Sequence, residues 1–333
     1  MMNSPWLPDR YFANMKSISS RIEDAEFDQR ISLLTGLNVA CTQLSSGKFE
    51  GDFSCSNFGD ILIYKSSHNQ TVEKQISVPS DSYCFYFLAD VSNSFQAGGL
   101  EINRRRVFVL PPGGSSIVVC PGNVATILIK ISRDELLHED GLVDEAAQWF
   151  KQLDRRGSLI ESDALTERLR SDTEAALGSA GRKNSPQSME LVGRATIFRV
   201  VSSFTMEALK TKSFSTFQRP VSFERFWRAR KLLLDNLRTA KECGLQSLSG
   251  LGSRRSTEQA FSEHVFMGPL SYYRVVRLHS VRRKLMDSSR LRQSIGDIAS
   301  EEGFWDWSRF STYYRRHFGE LPSETRGRLE APA

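Results

Sequence analysis

Two segments near the C-terminus each place arginine, amide or hydroxyl side chains on one face of a predicted helix. The first is residues 253–265, SRRSTEQAFSEHV, and the second runs from about Asp306 to His317. Apolar residues recur at helical spacing and predict the buried faces: Ala260, Phe261 and Val265 in the first, and Phe310, Tyr314 and Phe318 in the second. Guanidinium groups pair bidentately with guanine and side-chain amides with adenine. The outer faces therefore carry the chemistry that reads base edges in a DNA major groove.

The residues around the second segment predict two helices joined by a tight turn. Ile295, Ile298 and Ala299 lie at helical spacing and form one face of the first helix. The boundary signals are Gly303 as the left-handed residue of the turn, Asp306 or Ser308 as N-cap, Gly319 as the end of the second helix and Pro322 as a block to its resumption. This arrangement, with a polar and basic outer face, is the geometry of a helix-turn-helix DNA reader.

The same stretch resembles the signature of the AraC/XylS-type transcription regulators. The pattern I-x-D-I-A-x-x-x-G-F-x-x-x-x-x-F-x-x-x-[YF]-[RK]-x-x-F-G-x-x-P-[SH] runs through it without a gap. It is carried by Ile295, Asp297, Ile298, Ala299, Gly303, Phe304, Phe310, Tyr314, Arg315, Phe318, Gly319, Pro322 and Ser323. The resemblance implies a C-terminal domain with two helix-turn-helix units, whose recognition helices enter successive major-groove segments, and an N-terminal cupin-like sensory domain.

This resemblance assigns the outward residues of both recognition helices to DNA. The base-contacting residues are Arg254, Arg255, Glu258 and Gln259 of the first helix and Asp306, Trp307, Ser308, Arg309 and Thr312 of the second. The phosphate-contacting residues, which position the protein without reading sequence, are Ser253, Ser311, Arg315, Arg316, Arg282 and Arg283. Trp307 has a second interpretation, as a lid over the turn beside Phe304 and Trp305.

The segment before the first recognition helix departs from the family pattern. The run CGLQSLSGLGS contains Gly244, Gly250 and Gly252, and a glycine costs about 1 kcal/mol in a helix interior. We therefore expect a looser first unit that contributes less to base reading.

Cationic charge is concentrated in the C-terminal third of the chain. Residues 220–333 hold 20 Lys and Arg against 13 Asp and Glu, whereas the rest of the chain holds 24 against 26. Cations beside phosphates release condensed counterions, so a DNA-binding surface needs such a surplus. A modest surplus of arginines also fits a solvated surface, but its coincidence with the helix-turn-helix pattern favours DNA.

The N-terminal part of the chain predicts a different class of structure. Residues from about 49 to 131 are rich in β-branched and aromatic residues, with Gly, Pro, Asn and Ser between them, and predict seven or eight short strands. Residues from about 132 to 210 have helical periodicity. The predicted fold class is α+β with two domains: a cupin-like β-barrel with trailing helices over residues 1–210, a linker over 211–220, and an all-α DNA-binding domain with a double helix-turn-helix over 221–333.

Several roles are compatible with the N-terminal domain. Tyr83, Phe85 and Phe87 lie on a strand predicted to be buried on both faces, and they either line a pocket for a small organic effector or pack in the core. The long helix over 187–210 either offers a dimerisation surface or packs against its own barrel. In a further alternative, the barrel binds a protein partner instead of a small molecule.

Composition and motifs argue against other classes of protein. A cupin dioxygenase needs a cluster of His and Glu, yet residues 49–131 contain a single histidine, His68. The chain has no nucleophile elbow, P-loop or dinucleotide-binding glycine motif, so we expect no enzyme activity, metal or cofactor. No apolar run approaches the roughly 20 residues that cross a bilayer, and the first residues lack the features of a signal peptide. The five cysteines lack metal-ligand spacing, so a reduced, cytoplasmic protein is expected.

Together these features predict a bacterial, sequence-specific DNA-binding transcription regulator. We expect the protein to activate transcription, because activation is more common than repression in the family that it resembles. The expected partners are double-stranded promoter DNA, RNA polymerase, a small-molecule effector and a second copy of the chain, with no membrane.

Overall fold

The computed structural model describes residues 17–22, 27–90, 93–138, 144–153, 155–180, 185–211, 218–238 and 252–330. The strands are β1 (Ser17–Ile22), β2 (Asn38–Gln43), β3 (Gly51–Asn57), β4 (Ile61–His68), β5 (Val72–Ser77), β6 (Ser82–Leu88), β7 (Phe95–Ala97), β8 (Leu100–Ile102), β9 (Arg106–Leu110), β10 (Ser115–Cys120), β11 (Thr126–Ser132) and β12 (Ser158–Glu161). The helices are α1 (Phe27–Thr35), α2 (Arg133–His138), α3 (Asp144–Lys151), α4 (Asp163–Ala180), α5 (Pro186–Thr211), α6 (Val221–Arg238), α7 (Arg254–Val265), α8 (Pro269–Leu285), α9 (Ile295–Glu301), α10 (Trp307–Phe318) and α11 (Pro322–Glu330).

The strands form two antiparallel sheets that share one apolar core. The seven-stranded sheet has the order β1-β3-β4-β11-β6-β9-β12, and the five-stranded sheet has the order β2-β5-β10-β7-β8. Side chains from both sheets meet between them. Among the described strands no pairing joins the two sheets into a closed ring. The two-domain α+β fold is confirmed as a two-sheet sandwich followed by helices, whereas a closed cupin-like barrel stays a prediction.

A layer of helices covers the outer face of the seven-stranded sheet. Strand β6 is buried along its whole length, as predicted, because its alternate side chains enter two different cores. On helix α5, Ile197, Val201 and Phe204 are buried against this sheet. The long helix therefore packs on its own domain through one face, and its opposite face remains exposed.

Three predicted boundaries differ from the structure. Strands β1 and β2 precede the predicted strand region, and β12 follows it. β1 pairs with β3 and β12 pairs with β9, so these strands belong to the sheet although they are distant from their partners in the sequence. The predicted helical segment after residue 132 contains two short helices, α2 and α3. Pro322 begins helix α11 instead of ending helical structure, because proline is tolerated at the first helical position.

The predicted linker and the glycine-rich segment lie mainly outside the described residues. Residues 212–217 and 239–251 are among those not described. Arg219, at the end of the predicted linker, donates hydrogen bonds to the backbone oxygens of Gly98 and Gly157. None of the helices in the described ranges is both long and apolar enough to cross a membrane.

Candidate nucleic-acid interface

The second helix-turn-helix unit consists of α9, a tight turn and α10. Each helix has a side-chain cap: Ser294 accepts a hydrogen bond from the Asp297 backbone N–H, and Asp306 accepts one from that of Arg309, both at 3.0 Å. Such caps satisfy backbone donors that have no partner within the helix. The turn uses Gly303 at a φ of +73°. These local features agree with the boundaries predicted from the sequence.

A small aromatic core holds the two helices of this unit together. Phe304, Phe310, Tyr314 and Phe318 are buried with Ile298 in one cluster. Their rings form a continuous series of contacts, with centroids 4.7 to 5.7 Å apart. The predicted inner face of α10 is therefore the buried face, which leaves its other residues directed outward.

The outer face of α10 is polar, cationic and exposed. Its exposed residues are Trp307, Ser308, Arg309, Thr312, Arg315 and Arg316, with Asp306 just before the helix and Ser311 partly exposed. The Thr312 hydroxyl donates to the Ser308 backbone oxygen at 2.9 Å, so it is left to accept a hydrogen bond from a base or to present its methyl group. Within the described residues, Arg309, Arg315 and Arg316 form no ion pair. They are therefore available to a DNA ligand.

Trp307 lies across helix α9 as well as facing solvent. Its side chain is 59% exposed. A Cβ added to Gly296 would approach the indole ring to 2.5 Å. The absence of a side chain at Gly296 thus allows the indole to lie against the scaffold helix at the start of the recognition helix. The ring covers α9 on one side and remains exposed on the other, so its contact with DNA stays a prediction, and the scaffold that it covers is α9 near Gly296.

Gly296→Ala is expected to displace the Trp307 indole from α9 and to change stability by no more than about 1 kcal/mol, because the exposed ring can move into solvent and alanine is the better helix former. The measurement is the free energy of unfolding together with tryptophan fluorescence. Gly327→Ala is the matched control, because Gly327 also lies in a helix and a Cβ there meets nothing within 4 Å. Equal tryptophan fluorescence of the two variants would contradict the placement of the indole.

The first recognition helix is α7, which begins at Arg254, one residue after its predicted start at Ser253. The Ser253 hydroxyl accepts a hydrogen bond from the Ser256 backbone N–H at 3.1 Å, and Ala260, Phe261 and Val265 are buried as predicted. The outward residues of this helix are all exposed: Arg254, Arg255, Glu258 and Gln259. The sequence therefore predicted the orientation of this helix and, to within one residue, its start.

Three of these four outward residues already have partners within the helix. Arg254 pairs with Glu258 at 2.9 Å, and the Gln259 amide donates to Glu263 at 2.8 Å. Within the described residues the Arg255 side chain makes neither an ion pair nor a hydrogen bond. Arg255 can therefore contact a base without first breaking an internal bond.

One predicted phosphate contact, that of Arg282 on the connecting helix α8, needs correction. Arg282 is 5% exposed, pairs with Glu320 at 3.0 Å and lies 4.7 Å from the centre of the Phe318 ring. This arginine is part of the interior, so it is not available to a phosphate. Periodicity did not reveal this, because the partner carboxylate comes from the segment after α10. Arg283 is exposed and keeps its predicted role.

The predicted effector-pocket residues lie in the aromatic layer between the seven-stranded sheet and the helices. Phe85 contacts Phe204 and Phe150, with ring centroids 4.9 and 6.1 Å apart, and Tyr83 contacts Phe150 at 5.3 Å. Phe87 is fully buried in the same cluster. These contacts correspond to core packing, the alternative that the sequence left open. The pocket assignment therefore needs correction, because these side chains face the helices instead of the space between the sheets.

The space between the sheets contains polar side chains that the sequence analysis did not single out. The Tyr86 hydroxyl lies 3.2 Å from the Lys74 ammonium and 3.0 Å from the Thr126 hydroxyl. The hydroxyls of Tyr64 and Ser66 are also buried there, close to each other but without a hydrogen bond of good geometry within the described residues. Burial raises the pKa of Tyr64, against the opposing effect of nearby Lys74. Buried polar groups normally find partners, so this cluster is the better candidate for a polar ligand.

Known proteins resemble this chain mainly in its C-terminal region. A family model described as a helix-turn-helix domain matches residues 252–328. The chain is similar to the XylDLEGF operon transcriptional activator of Pseudomonas putida, with 32% identity over 131 residues, which are 39% of this chain and 37% of that protein. It is also similar to the regulatory protein HrpB of Ralstonia nicotianae, with 40% identity over 73 residues, which are 22% of this chain and 15% of HrpB. Among solved structures it is similar to the AraC-like transcriptional activator CuxR, with 18% identity, a TM-score of 0.41, and coverage of 86% of this chain and 99% of that one.

The C-terminal region is a helix-turn-helix domain, as the sequence predicted. The match extends over helices α7 to α11 and so includes both recognition helices. The chain spans 37% of the length of the Pseudomonas activator.

Proposed function

We propose that this chain is a sequence-specific DNA-binding transcription regulator that acts as an activator on promoter DNA together with RNA polymerase. The observation that carries the proposal is the pair of capped recognition helices, α7 and α10, whose inner residues are buried and whose outer polar residues are exposed. The arginine surplus of this domain supports it, because phosphate neutralisation supplies much of the affinity for DNA. The relatives that are named as activators support activation of transcription over repression.

Arg255→Ala is expected to weaken DNA binding by about 1–3 kcal/mol and to relax specificity at one base position. The reason is that an arginine can donate two hydrogen bonds to guanine, and that none of the described residues competes for the Arg255 side chain. The measurement is selection of DNA from a random library by the full chain, followed by titration of the selected site and its single-base variants.

The control for this experiment is Arg104→Ala, because Arg104 is equally exposed but lies in the sandwich. It is expected to leave both affinity and specificity unchanged. A loss with Arg255→Ala that is uniform across all base positions would make Arg255 a phosphate contact instead of a base contact.

The sensing part of the proposal places a small polar effector between the two sheets. Lys74, Tyr86 and Thr126 support it, because they form a connected polar group inside an otherwise apolar core. The buried Tyr64 hydroxyl faces the same space and could hydrogen-bond to such a molecule. Tyr83, Phe85 and Phe87 would then support the sheet from behind.

The exposed face of α5 supports a second partner, another copy of this chain. Leu191, Phe198 and Leu209 are 69%, 54% and 54% exposed, and with Ser202 they follow a 7-4-7 spacing that keeps them on one stripe. The stripe is symmetric about position 200. When two such helices lie antiparallel, each leucine is level with a leucine of the second copy. Each phenylalanine is level with a serine, so the large aromatic ring faces a small side chain.

Phe198→Glu is expected to weaken self-association at least about 30-fold, as loss of a central aromatic anchor does. Analytical ultracentrifugation over a range of concentrations measures this. Leu33→Glu is the control, because Leu33 is 51% exposed on α1 and lies outside the stripe. A wild-type chain that stays monomeric would instead favour the alternative in which this face binds a different protein.

A further inference from the structure

The DNA-binding domain is docked on the outer face of the five-stranded sheet. Phe223 and Phe226 of α6 and Tyr272 of α8 share one apolar cluster with Val119 of β10. Phe223 approaches the sandwich so closely that a Cβ added to Gly99 would lie 2.3 Å from its ring. The two domains therefore share a packed core along this face.

A buried carboxylate anchors the first helix-turn-helix unit to the sheet. The side chain of Glu73, on β5, is 2% exposed. It accepts hydrogen bonds from the Arg230 guanidinium at 2.6 and 3.0 Å and from the Tyr272 hydroxyl at 3.1 Å. Arg230 belongs to α6 and Tyr272 to α8, so one carboxylate fixes two helices. Separating a buried ion pair leaves an unpaired charge in the interior, which is strongly destabilising. The contacts of Glu73 with Arg230 and Tyr272 are therefore expected to persist in the folded protein.

A second anchor holds the second helix-turn-helix unit. The backbone oxygen of Gln43, at the end of β2, accepts hydrogen bonds from His279 of α8 at 3.0 Å and His317 of α10 at 3.1 Å. The Gln43 amide in turn donates to the backbone oxygen of His317 at 3.0 Å, and the Gly47 backbone N–H donates to the same oxygen at 3.0 Å. The C-terminal end of the second recognition helix is therefore fastened to the sandwich.

The two anchors are neighbours on the sheet. Strands β2 and β5 are paired, with Thr42 opposite Glu73 and Gln43 opposite Val72. Neighbouring strands lie about 5 Å apart, so the two anchoring residues lie close together along the paired strands, although the register directs their side chains to opposite faces of the sheet. Within the DNA-binding domain the two units have separate apolar cores, connected by α8. The sheet thus gives the units a second connection, and it leaves the outward residues of α7 and α10 exposed.

We infer that the β2–β5 pair is a clamp that fixes the orientation of the two recognition helices relative to each other, with Glu73 and Gln43 as positioning residues. The clamp makes the full chain select one spacing between the two half-sites of its DNA. This inference rests on the proposed DNA-binding function. It assigns to the N-terminal domain a part in DNA specificity that does not require a ligand.

The test compares DNA sites of altered spacing. A site is first selected from a random library with the full wild-type chain, and derivatives then receive one or two base pairs between the half-sites. Each added pair shifts one half-site by roughly 3.4 Å and turns it by roughly 35°. Wild-type protein is expected to bind these derivatives at least about tenfold more weakly, the value of one lost base contact.

Glu73→Gln is expected to reduce this discrimination to less than about threefold. Gln43→Ala removes the amide bond to His317 but keeps the backbone oxygen that accepts from His279 and His317, so it is expected to reduce the discrimination by a smaller factor. The affinity of both variants for a single half-site should stay within about twofold of wild type. Asn38→Ala, an exposed change on β2, is the control and should discriminate as the wild type does. A merely structural loss would lower all affinities by the same factor and leave the ratio unchanged.

Two outcomes would overturn the inference in different ways. Folded variants that keep the wild-type spacing ratio would overturn the clamp alone. A wild-type chain that selects no sequence would overturn the proposed function, and the clamp with it. Because Gln43 and Glu73 anchor different units, a folding failure of one variant leaves the other to decide the result.

Discussion

Phe310→Ala is expected to unfold the second helix-turn-helix unit, with a loss of roughly 3–5 kcal/mol. Phe310 is 2% exposed and its ring lies between those of Phe304 and Tyr314, 5.2 and 5.7 Å away. The core of this unit is small and separate from that of the first unit. A cavity at its centre therefore removes a large share of the apolar contacts that hold α9 against α10.

Chemical denaturation of the full chain measures this loss, and titration with a selected DNA site should show weaker binding in parallel. Phe266→Ala is the matched control: Phe266 belongs to the same domain but is 54% exposed, so its loss should change stability by no more than about 0.5 kcal/mol. If the two variants melt alike, the inner face of α10 has been assigned to the wrong side.

Acidification from pH 7 to pH 5 is expected to destabilise the protein by about 4 kcal/mol through His68 and His317. Burial lowers the pKa of His68 to about 3 and that of His317 to about 4, from an ordinary value of 6.5. The folded state therefore holds both imidazoles neutral while the unfolded chain binds protons. Stability that is fully present above pH 6.5 is lost as the pH falls toward these lowered pKa values, and each histidine contributes about half of the total.

The range from pH 7 to pH 5 distinguishes the contribution of the histidines to stability from that of Glu301, a carboxylate that also stabilises the fold. Hydrogen bonds from Lys284 and Gln293 lower the pKa of Glu301 to about 2, so its contribution is lost only below this range.

The free energy of unfolding should be measured at several values between pH 7 and pH 5. Burial also lowers the pKa values of His279 and His264, so these two residues add to the same slope. His317→Gln should therefore remove about 2 kcal/mol of the loss between pH 7 and pH 5, and an unchanged slope would mean that His317 is not buried as a neutral group.

The local features of the DNA-binding half could be predicted from its sequence because neighbouring residues determine them. The caps Ser253 and Asp306 and the turn glycines Gly303 and Gly319 act within one helical turn of their own position. The inner face of α10 follows from helical periodicity alone. The family signature adds the second unit and agrees with the match to the helix-turn-helix domain.

Features that depend on distant partners could not be predicted in this way. Alternation along β6 indicates two buried faces but does not say which face meets the helices. For this reason the sequence left both a pocket and core packing open for Tyr83 and Phe85. Arg282 has the spacing of a surface arginine, and only its pairing with Glu320 places it in the interior. The interdomain anchors are the extreme case, because Glu73 and Arg230 are 157 residues apart.

Footprinting of the full-length protein on DNA upstream of its own gene, at two salt concentrations, tests the central claim most directly. A sequence-specific regulator with two recognition helices should protect a stretch of about two helical turns, and that protection should survive competitor DNA at the higher salt concentration. Binding that is blind to sequence and disappears as salt rises would contradict the account, because it would leave only phosphate contacts and no base reading by α7 and α10.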